Sequence, residues 1–331
     1  NPTEKIIAQI DNELNWKKFN RNQNNAVKNA LNQKLSLIWG PPGSTGKTMV
    51  GCYLSFAYTF VNRKENKNSV VLYCGPSNDC INLVASLSVV ELYVPSKVNV
   101  NYTKGKHFKT HLNTKIWKTS CILIIYAGTM MEKFNEKCPK LLRIFGKEQE
   151  VSDFPIPGHF FKNKTLPIDI QEVSLHFLIR KNGGYADELK KFDNIFKCIR
   201  NKDPIPPDFN VYNAILTYKN LAKKEYIVNN KFDMILCTTS VTLKQVVTFF
   251  NIAQVIIDEA GMCKEPETLI PIAAAAKSVK NVVLIGDHKQ LRPMIRSRLA
   301  DKHGLQISLF ERYQKLKPEL VTMLNLQYRM V

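Results

Sequence analysis

The sequence lacks any Cys-x-x-Cys pair. Its eight cysteines stand at 52, 74, 80, 121, 138, 198, 237 and 263, which excludes a zinc ribbon and a dithiol redox motif. Several sit inside apolar runs such as Val70-Val71-Leu72-Tyr73-Cys74, a setting for buried, reduced thiols in an intracellular protein. The sequence also lacks an apolar run long enough to span a bilayer, and it has no recognisable secretory leader. Nucleus and cytoplasm both stay open. Acidic residues are scarce: 28 Asp and Glu oppose 47 Lys and Arg, for a formal charge of +19. Such an excess suits a polyanion, either nucleic acid or an anionic membrane surface, unless it reflects only a lysine-rich solvated face. Internal repeats and low-complexity tracts are missing as well.

What is present is enough for a packed core. The chain has 331 residues, 44% of them hydrophobic, which fits one large domain or two smaller ones. It starts at Asn1 without Met and stops after Arg329-Met330-Val331, so it is expected to be a piece of something longer. The organising stretch is Leu35-Ser36-Leu37-Ile38-Trp39 followed by Gly40-Pro41-Pro42-Gly43-Ser44-Thr45-Gly46-Lys47-Thr48. An apolar strand runs into a Gly/Pro-rich turn that ends in Gly-Lys-Thr, the layout of a phosphate-binding loop. Backbone N–H groups and the positive end of the following helix then face an anion. Lys47 is the residue expected to reach the β- and γ-phosphates of a nucleotide, and Thr48 to hold Mg²⁺. The usual spacing places four residues between the first Gly and the Gly-Lys pair. Here five residues separate Gly40 from Gly46, and Ser44 is most simply the extra one. The spacing predicts a bulge at Gly43-Ser44 and weaker nucleotide binding than an unbroken loop would give.

Strand and helix signals alternate at both ends of the chain. A short helix is expected at 4–14 and another from Phe19-Asn20, with Ala26, Val27, Ala30 and Leu31 at helical spacing. Strand 35–39, helix 47–61, strand 70–74 and helix 78–92 follow. Continuous apolar strands in a βαβ order predict an α/β fold with a doubly wound parallel sheet. The alternation is lost from about 95 to 230, apart from an isolated strand-like run at 121–126 and two helices near 185–201 and 208–226. This stretch is expected as an insertion on one face of the sheet. Its lysines alternate with aromatics in Lys106-His107-Phe108-Lys109 and Phe160-Phe161-Lys162. Such a surface suits a single strand, or equally a solvated face over a small core. Three apolar strands then end in polar residues: 234–238, 255–259 and 282–287. In open α/β sheets such strand ends line the ligand crevice.

Those ends carry the chemistry. Asp258-Glu259 is the expected partner of the phosphate loop, with Asp258 on Mg²⁺ and Glu259 deprotonating the attacking water. An acidic pair capping a helix would look the same in isolation. Gln290, in Gly286-Asp287-His288-Lys289-Gln290-Leu291, suits a sensor that bonds a γ-phosphate oxygen and donates toward the acidic pair. His288 has no second His or Cys at ligand spacing and reads as a structural residue. In Gln327-Tyr328-Arg329, Arg329 suits a phosphate and Tyr328 suits stacking on a base.

Taken in order, these motifs resemble those of the superfamily 1 helicases, in the branch containing the nonsense-mediated-decay helicase. They are Gln23, Gly40 to Thr48, Gly75-Pro76-Ser77-Asn78, Asp258-Glu259-Ala260, Gly286 to Leu291 and Gln327-Tyr328-Arg329-Met330. Longer phrases, among them Val71-Leu72-Tyr73-Cys74-Gly75-Pro76-Ser77-Asn78 and Ser308-Leu309-Phe310-Glu311-Arg312-Tyr313, are similar to the zinc-finger-containing helicases of the coactivator type. The resemblance implies a RecA-like P-loop NTPase fold and an ATP- and Mg²⁺-dependent motor on single-stranded RNA or DNA, with no membrane partner. It implies that Gln23 reads the adenine, Tyr328 stacks on it and Arg329 touches the γ-phosphate. Ser77, Asn78, Thr238 and Thr239 would contact the nucleic-acid backbone. On this reading 1–94 and 231–331 form the first motor domain and 95–230 its accessory insertion. A second RecA-like domain, which would supply the arginine completing the ATP site, is expected in the full-length protein. The alternative is a helicase-derived RNA-binding or scaffold protein whose catalysis was impaired by the longer loop.

Overall fold

The computed structural model describes residues 7–9, 19–41, 45–65, 68–89, 139–158 and 165–327. The Lys/aromatic clusters at 106–109 and 160–162, the run at 121–126, the loop residues Pro42, Gly43 and Ser44, and the terminal Tyr328 and Arg329 lie outside the described residues.

The core is one seven-stranded, all-parallel sheet. In chain order its strands are β1 (Leu35–Trp39), β2 (Val70–Gly75), β3 (Leu141–Arg143), β4 (Met234–Thr238), β5 (Ile252–Ile257), β6 (Asn281–Gly286) and β7 (Val321–Met323). In space the order is β3-β4-β2-β5-β6-β1-β7. The strands read as unbroken apolar runs because helices cover both faces. Every residue of β2, β4 and β5 is buried.

Side chains alternate across the sheet, so each strand feeds two cores. Ile38, Val71, Tyr73, Leu236, Ile256 and Ile285 point to one face. Helices α1 (Arg21–Asn32), α2 (Lys47–Lys64) and α3 (Asn78–Val89) cover it with Val27, Leu54 and Ile81. Leu37, Leu72, Cys74, Cys237, Ile257 and Leu284 point to the other, where they meet Ile179, Leu189, Phe196, Tyr218 and Phe310. Those residues come from α6 (Leu175–Asn182), α7 (Ala186–Asn201), the helical run 211–229 and α10 (Leu309–Leu316). In sequence α4 (Lys147–Asp153) and α5 (Ile168–Val173) precede α6, and α8 (Glu265–Ala274) and α9 (Arg298–Lys302) precede α10.

Two sequence expectations change here. The segment 95–230 is not wholly an insertion outside the sheet: β3 is an edge strand of that sheet, pairing in parallel with β4 from Leu141 opposite Met234 to Arg143 opposite Leu236. Three residues are too few to carry a periodic signal. The helix expected at 208–226 runs from 211 to 229 and contains a π-helical segment, Thr217–Ala222. Strand β7 has no counterpart in the expectations, for the same reason of length. It pairs with β1 and is tied to α1 by the Asn29 amide, which donates to the Thr322 hydroxyl at 2.9 Å.

Candidate functional site

The parallel strands deliver their carboxyl ends to one rim. Strand β1 runs through Gly40 to α2, whose N-cap Gly46 has a left-handed backbone (φ 87°) and supplies no side-chain cap. The first N–H groups of an eighteen-residue helix are therefore left for another acceptor. A Cβ on Gly40 would sit 2.4 Å from both the Lys47 Cγ and the Thr45 hydroxyl, so only glycine lets the loop close this tightly. The Lys47 ammonium folds back and donates to the Gly40 carbonyl at 2.5 Å. Thr48 follows in the first turn, partly exposed.

Three carboxylates surround this lysine electrostatically. Burial pushes the Lys47 ammonium down, and Asp287, Asp258 and Glu259 act against that shift without cancelling it. Asp258 follows β5 and is buried. Its carboxylate accepts from the Tyr73 hydroxyl at 2.8 Å and from the Glu259 N–H at 2.8 Å, and it also bonds the Cys80 thiol. Burial nevertheless holds its carboxyl above the ordinary range, against the hydrogen bonds and Lys47. Glu259 is raised too, by burial and by its neighbour Asp258. It is half-buried and has φ 50°, a conformation that costs a non-glycine residue about 1–3 kcal/mol.

The turn after Glu259 is seated directly on the end of β6. The Ala260 N–H donates to the Ile285 carbonyl at 2.8 Å. A Cβ on Gly261 would lie 2.5 Å from the Asp287 carbonyl oxygen, and one on Gly286 would lie 2.7 Å from the Gly261 nitrogen. Asp287 then gathers the β6 rim. It accepts from Trp39 Nε1 at 3.0 Å, the Lys289 N–H at 2.9 Å and Gln290 Nε2 at 2.9 Å. Burial would raise its carboxyl, but these donors and Lys47 outweigh it and hold the group below the usual range. His288 packs against Trp39 with ring centroids 4.8 Å apart and planes tilted by 53°, a local packing role.

Lys47, Asp258 and Glu259 are thus brought together at one rim. Gln290 differs in its partner: its amide donates to Asp287, not to the Asp258-Glu259 pair. Gln23 is buried beneath the loop. Its amide donates to the Thr45 carbonyl at 3.1 Å, while its oxygen accepts from the Asn20 N–H in a capping box. Ser77 and Asn78 are exposed at the start of α3 on the same rim. Thr238 faces Gly75 across the β2–β4 ladder, but the side chains of Thr238 and Thr239 are largely covered. Sequence reasoning missed Tyr73, Cys80 and Asp287. Only Asp287 left a signal, as an acid closing an apolar strand in the way Asp258 does. Tyr73 looks like one more apolar strand residue until its hydroxyl is seen under Asp258.

The sequence matches the AAA_11 family, described as an AAA domain, over residues 18–152 and 213–298. It is 31% identical over 336 residues to the "3'-5' exoribonuclease HELZ2" of Mus musculus, covering 95% of this chain and 9% of that protein. It is 28% identical over 317 residues to the "ATP-dependent helicase NAM7" of Saccharomyces cerevisiae, covering 96% and 24% respectively. It is also 28% identical over 313 residues to an Arabidopsis thaliana "Regulator of nonsense transcripts 1 homolog", covering 94% and 19%. The chain therefore spans a tenth to a quarter of the length of these relatives. Among the described residues no helix is long and apolar enough to cross a membrane. With a seven-stranded parallel sheet and a Gly-Lys helix start after β1, this chain belongs to that AAA-domain family, as a helicase-type ATPase domain matching the first motor domain of superfamily 1 helicases in the nonsense-mediated-decay branch.

Proposed function

We propose that this chain is the ATP-binding first motor domain of a helicase that hydrolyses ATP to move on single-stranded RNA or DNA. One observation carries the reading: a lysine at an uncapped helix N-terminus, facing two acidic strand ends. The residues fit a nucleotide. The glycine-lined cradle at Gly40 and the free α2 N–H groups suit a polyphosphate. The acid set suits Mg²⁺, which is ordinarily held by one or two carboxylates together with substrate phosphates. Among the described residues no group of three or more His, Cys, Asp or Glu could hold a metal by itself, and Mg²⁺ does not need one.

Thr48 and Asp258 would hold the Mg²⁺, whose chemistry is to neutralise charge on the phosphate oxygens. Lys47 exchanges its bond to the Gly40 carbonyl for phosphate oxygens, with three carboxylates acting against the downward pull of burial on its ammonium. Glu259, with its carboxyl raised, accepts the proton of the attacking water. Gln290 leaves Asp287 when a γ-phosphate oxygen offers a charged acceptor, which makes it the sensor. Gln23 reads the adenine edge, Tyr328 stacks on the base and Arg329 contacts the γ-phosphate. Ser77 and Asn78 form the exposed part of the nucleic-acid track, Thr238 and Thr239, with covered side chains, back it at the end of β4, and a second RecA-like domain closes the cleft.

The longer phosphate loop favours a second reading, a helicase-derived RNA-binding or scaffold protein with impaired catalysis. Calorimetric titration with ATP and Mg²⁺ separates the two, with Lys47→Ala as control. Binding that Lys47→Ala abolishes supports the motor. A chain that retains single-stranded RNA yet shows no nucleotide heat supports the scaffold.

A further inference from the structure

Arg143 closes β3 and is completely enclosed, with an exposure of 0%. Among the described residues none of its hydrogen-bond partners is a carboxylate. Its Nη1 donates to the Ile144 and Leu236 carbonyls at 3.1 and 3.3 Å. Its Nε donates to the Asn82 side-chain oxygen at 3.1 Å, and Nη2 to that of Asn78 at 2.7 Å. The guanidinium lies 4.0 Å from the centroid of the Phe145 ring. Burying a cation among neutral groups is expensive, and an apolar side chain would fill the space at lower cost. What the arginine adds is direction.

A guanidinium can only donate, so any amide bonded to it must turn its oxygen inward. The Asn78 nitrogen is thereby turned away from Arg143, at an exposed position, and it has no partner among the described residues. Next to it, the Ser77 hydroxyl oxygen accepts from the Cys80 N–H at 3.2 Å, which leaves its own proton to be donated outward. Both residues stand at the positive end of a twelve-residue helix. This corner of the rim therefore offers donors, on a chain of charge +19.

We propose that Arg143 is a positioning residue for nucleic-acid binding: it locks the Asn78 amide with its N–H donors outward, so that the start of α3 grips a phosphodiester of a single strand. This rests on the nucleic-acid reading given above. It adds the residue that sets the polarity of the contact, through an edge strand that also bridges to Ser174 of the helical region.

The test uses the full chain and a labelled single-stranded oligouridine, with affinity read by fluorescence anisotropy and stability by thermal melting. Asn78→Asp is the decisive variant. It gives Arg143 a carboxylate, so melting should hold or rise. It also replaces the outward donors with an acceptor oxygen, so affinity should fall about 10- to 100-fold, the worth of hydrogen bonds to a charged phosphate. Arg143→Lys should lose most of the same affinity, and Asn78→Ala should then add little in that background, because both act on one contact. If Arg143→Lys melts below the assay temperature, Asn78→Asp decides alone. Wild-type affinity in Asn78→Asp overturns the proposal, as does full additivity of the Arg143→Lys and Asn78→Ala losses. An unaltered chain that ignores the oligonucleotide at low salt fails the nucleic-acid reading itself, and the proposal with it.

Discussion

Two buried carboxylates in this fold are treated in opposite ways. Glu150 lies in the helical region, where Lys223 and Lys244 donate to it at 2.7 and 3.1 Å and the Tyr218 hydroxyl donates at 3.1 Å. Burial would raise its carboxyl, but the two lysines overcome that and hold it down to about 2. Asp258 lies at the sheet rim with neutral donors and one lysine at a distance, and it stays above its ordinary range. The first is a closed network that fixes helices to one another. The second is left under-compensated, as the proposed Mg²⁺ role of Asp258 requires. The contrast separates charge used for structure from charge held in readiness for chemistry.

The largest effect should come from opening the closed network. Glu150→Ala leaves Lys223 buried without its partner and should cost about 3–5 kcal/mol in urea unfolding. Because the folded carboxyl is depressed, its contribution is complete above the unfolded value and is lost as pH falls toward about 2. The gap between variant and parent should therefore narrow in acid. A gap independent of pH would mean that packing, not charge, is what was lost.

Asp258→Asn should do the reverse. Turnover should fall about 10²–10³-fold, the scale for removing one well-placed electrostatic group, while stability at neutral pH holds or improves. The sign follows from the raised carboxyl: its charge is a cost above the folded value, relieved as pH falls through it. Any stability gain should vanish in acid. Marked destabilisation at neutral pH would show Asp258 to be a structural ion after all.

Tyr73→Phe sharpens the comparison without breaking it. It removes a hydrogen bond to a charged group, worth about 1.5–3 kcal/mol, so the Asp258 carboxyl should rise further. The acidic limb of Mg²⁺-dependent turnover should move to higher pH, and an unmoved profile would leave Tyr73 with packing alone. The smallest change in stability belongs to Gln290→Ala, within about 0.5 kcal/mol for an exposed side chain. Turnover should still drop. Unchanged turnover would remove Gln290 from the sensor role.

The legible parts of the fold are those governed by continuous apolar burial. Strands β1, β2, β4, β5 and β6 announce themselves because both faces are covered, and the loop at Gly46-Lys47 because its chemistry needs those residue types. Strands β3 and β7 stay hidden because three residues carry no period. At the rim, the Asp258-Glu259 pair was readable because it follows an apolar strand, and Lys47 because it opens the helix after β1. Tyr73, Cys80 and Arg143 were not. Their polar atoms find partners only after distant segments meet: Tyr73 and Asp258 are 185 positions apart, and Arg143 and Asn78 are 65 apart. No local pattern encodes such meetings.

The turn from Asp258 to Gly261 lies backbone against backbone on the end of β6, with two glycines where side chains would otherwise act as spacers. Mechanically this is a joint without slack. Between the two strand ends the described contacts are backbone on backbone, which leaves little room for a displacement of the acidic pair. The contact reaches Asp287 through backbone atoms, and the Gln290 amide is bonded to the Asp287 carboxylate. On the proposed sensor role of Gln290, a few ångströms of backbone contact are what couple it to the acidic pair.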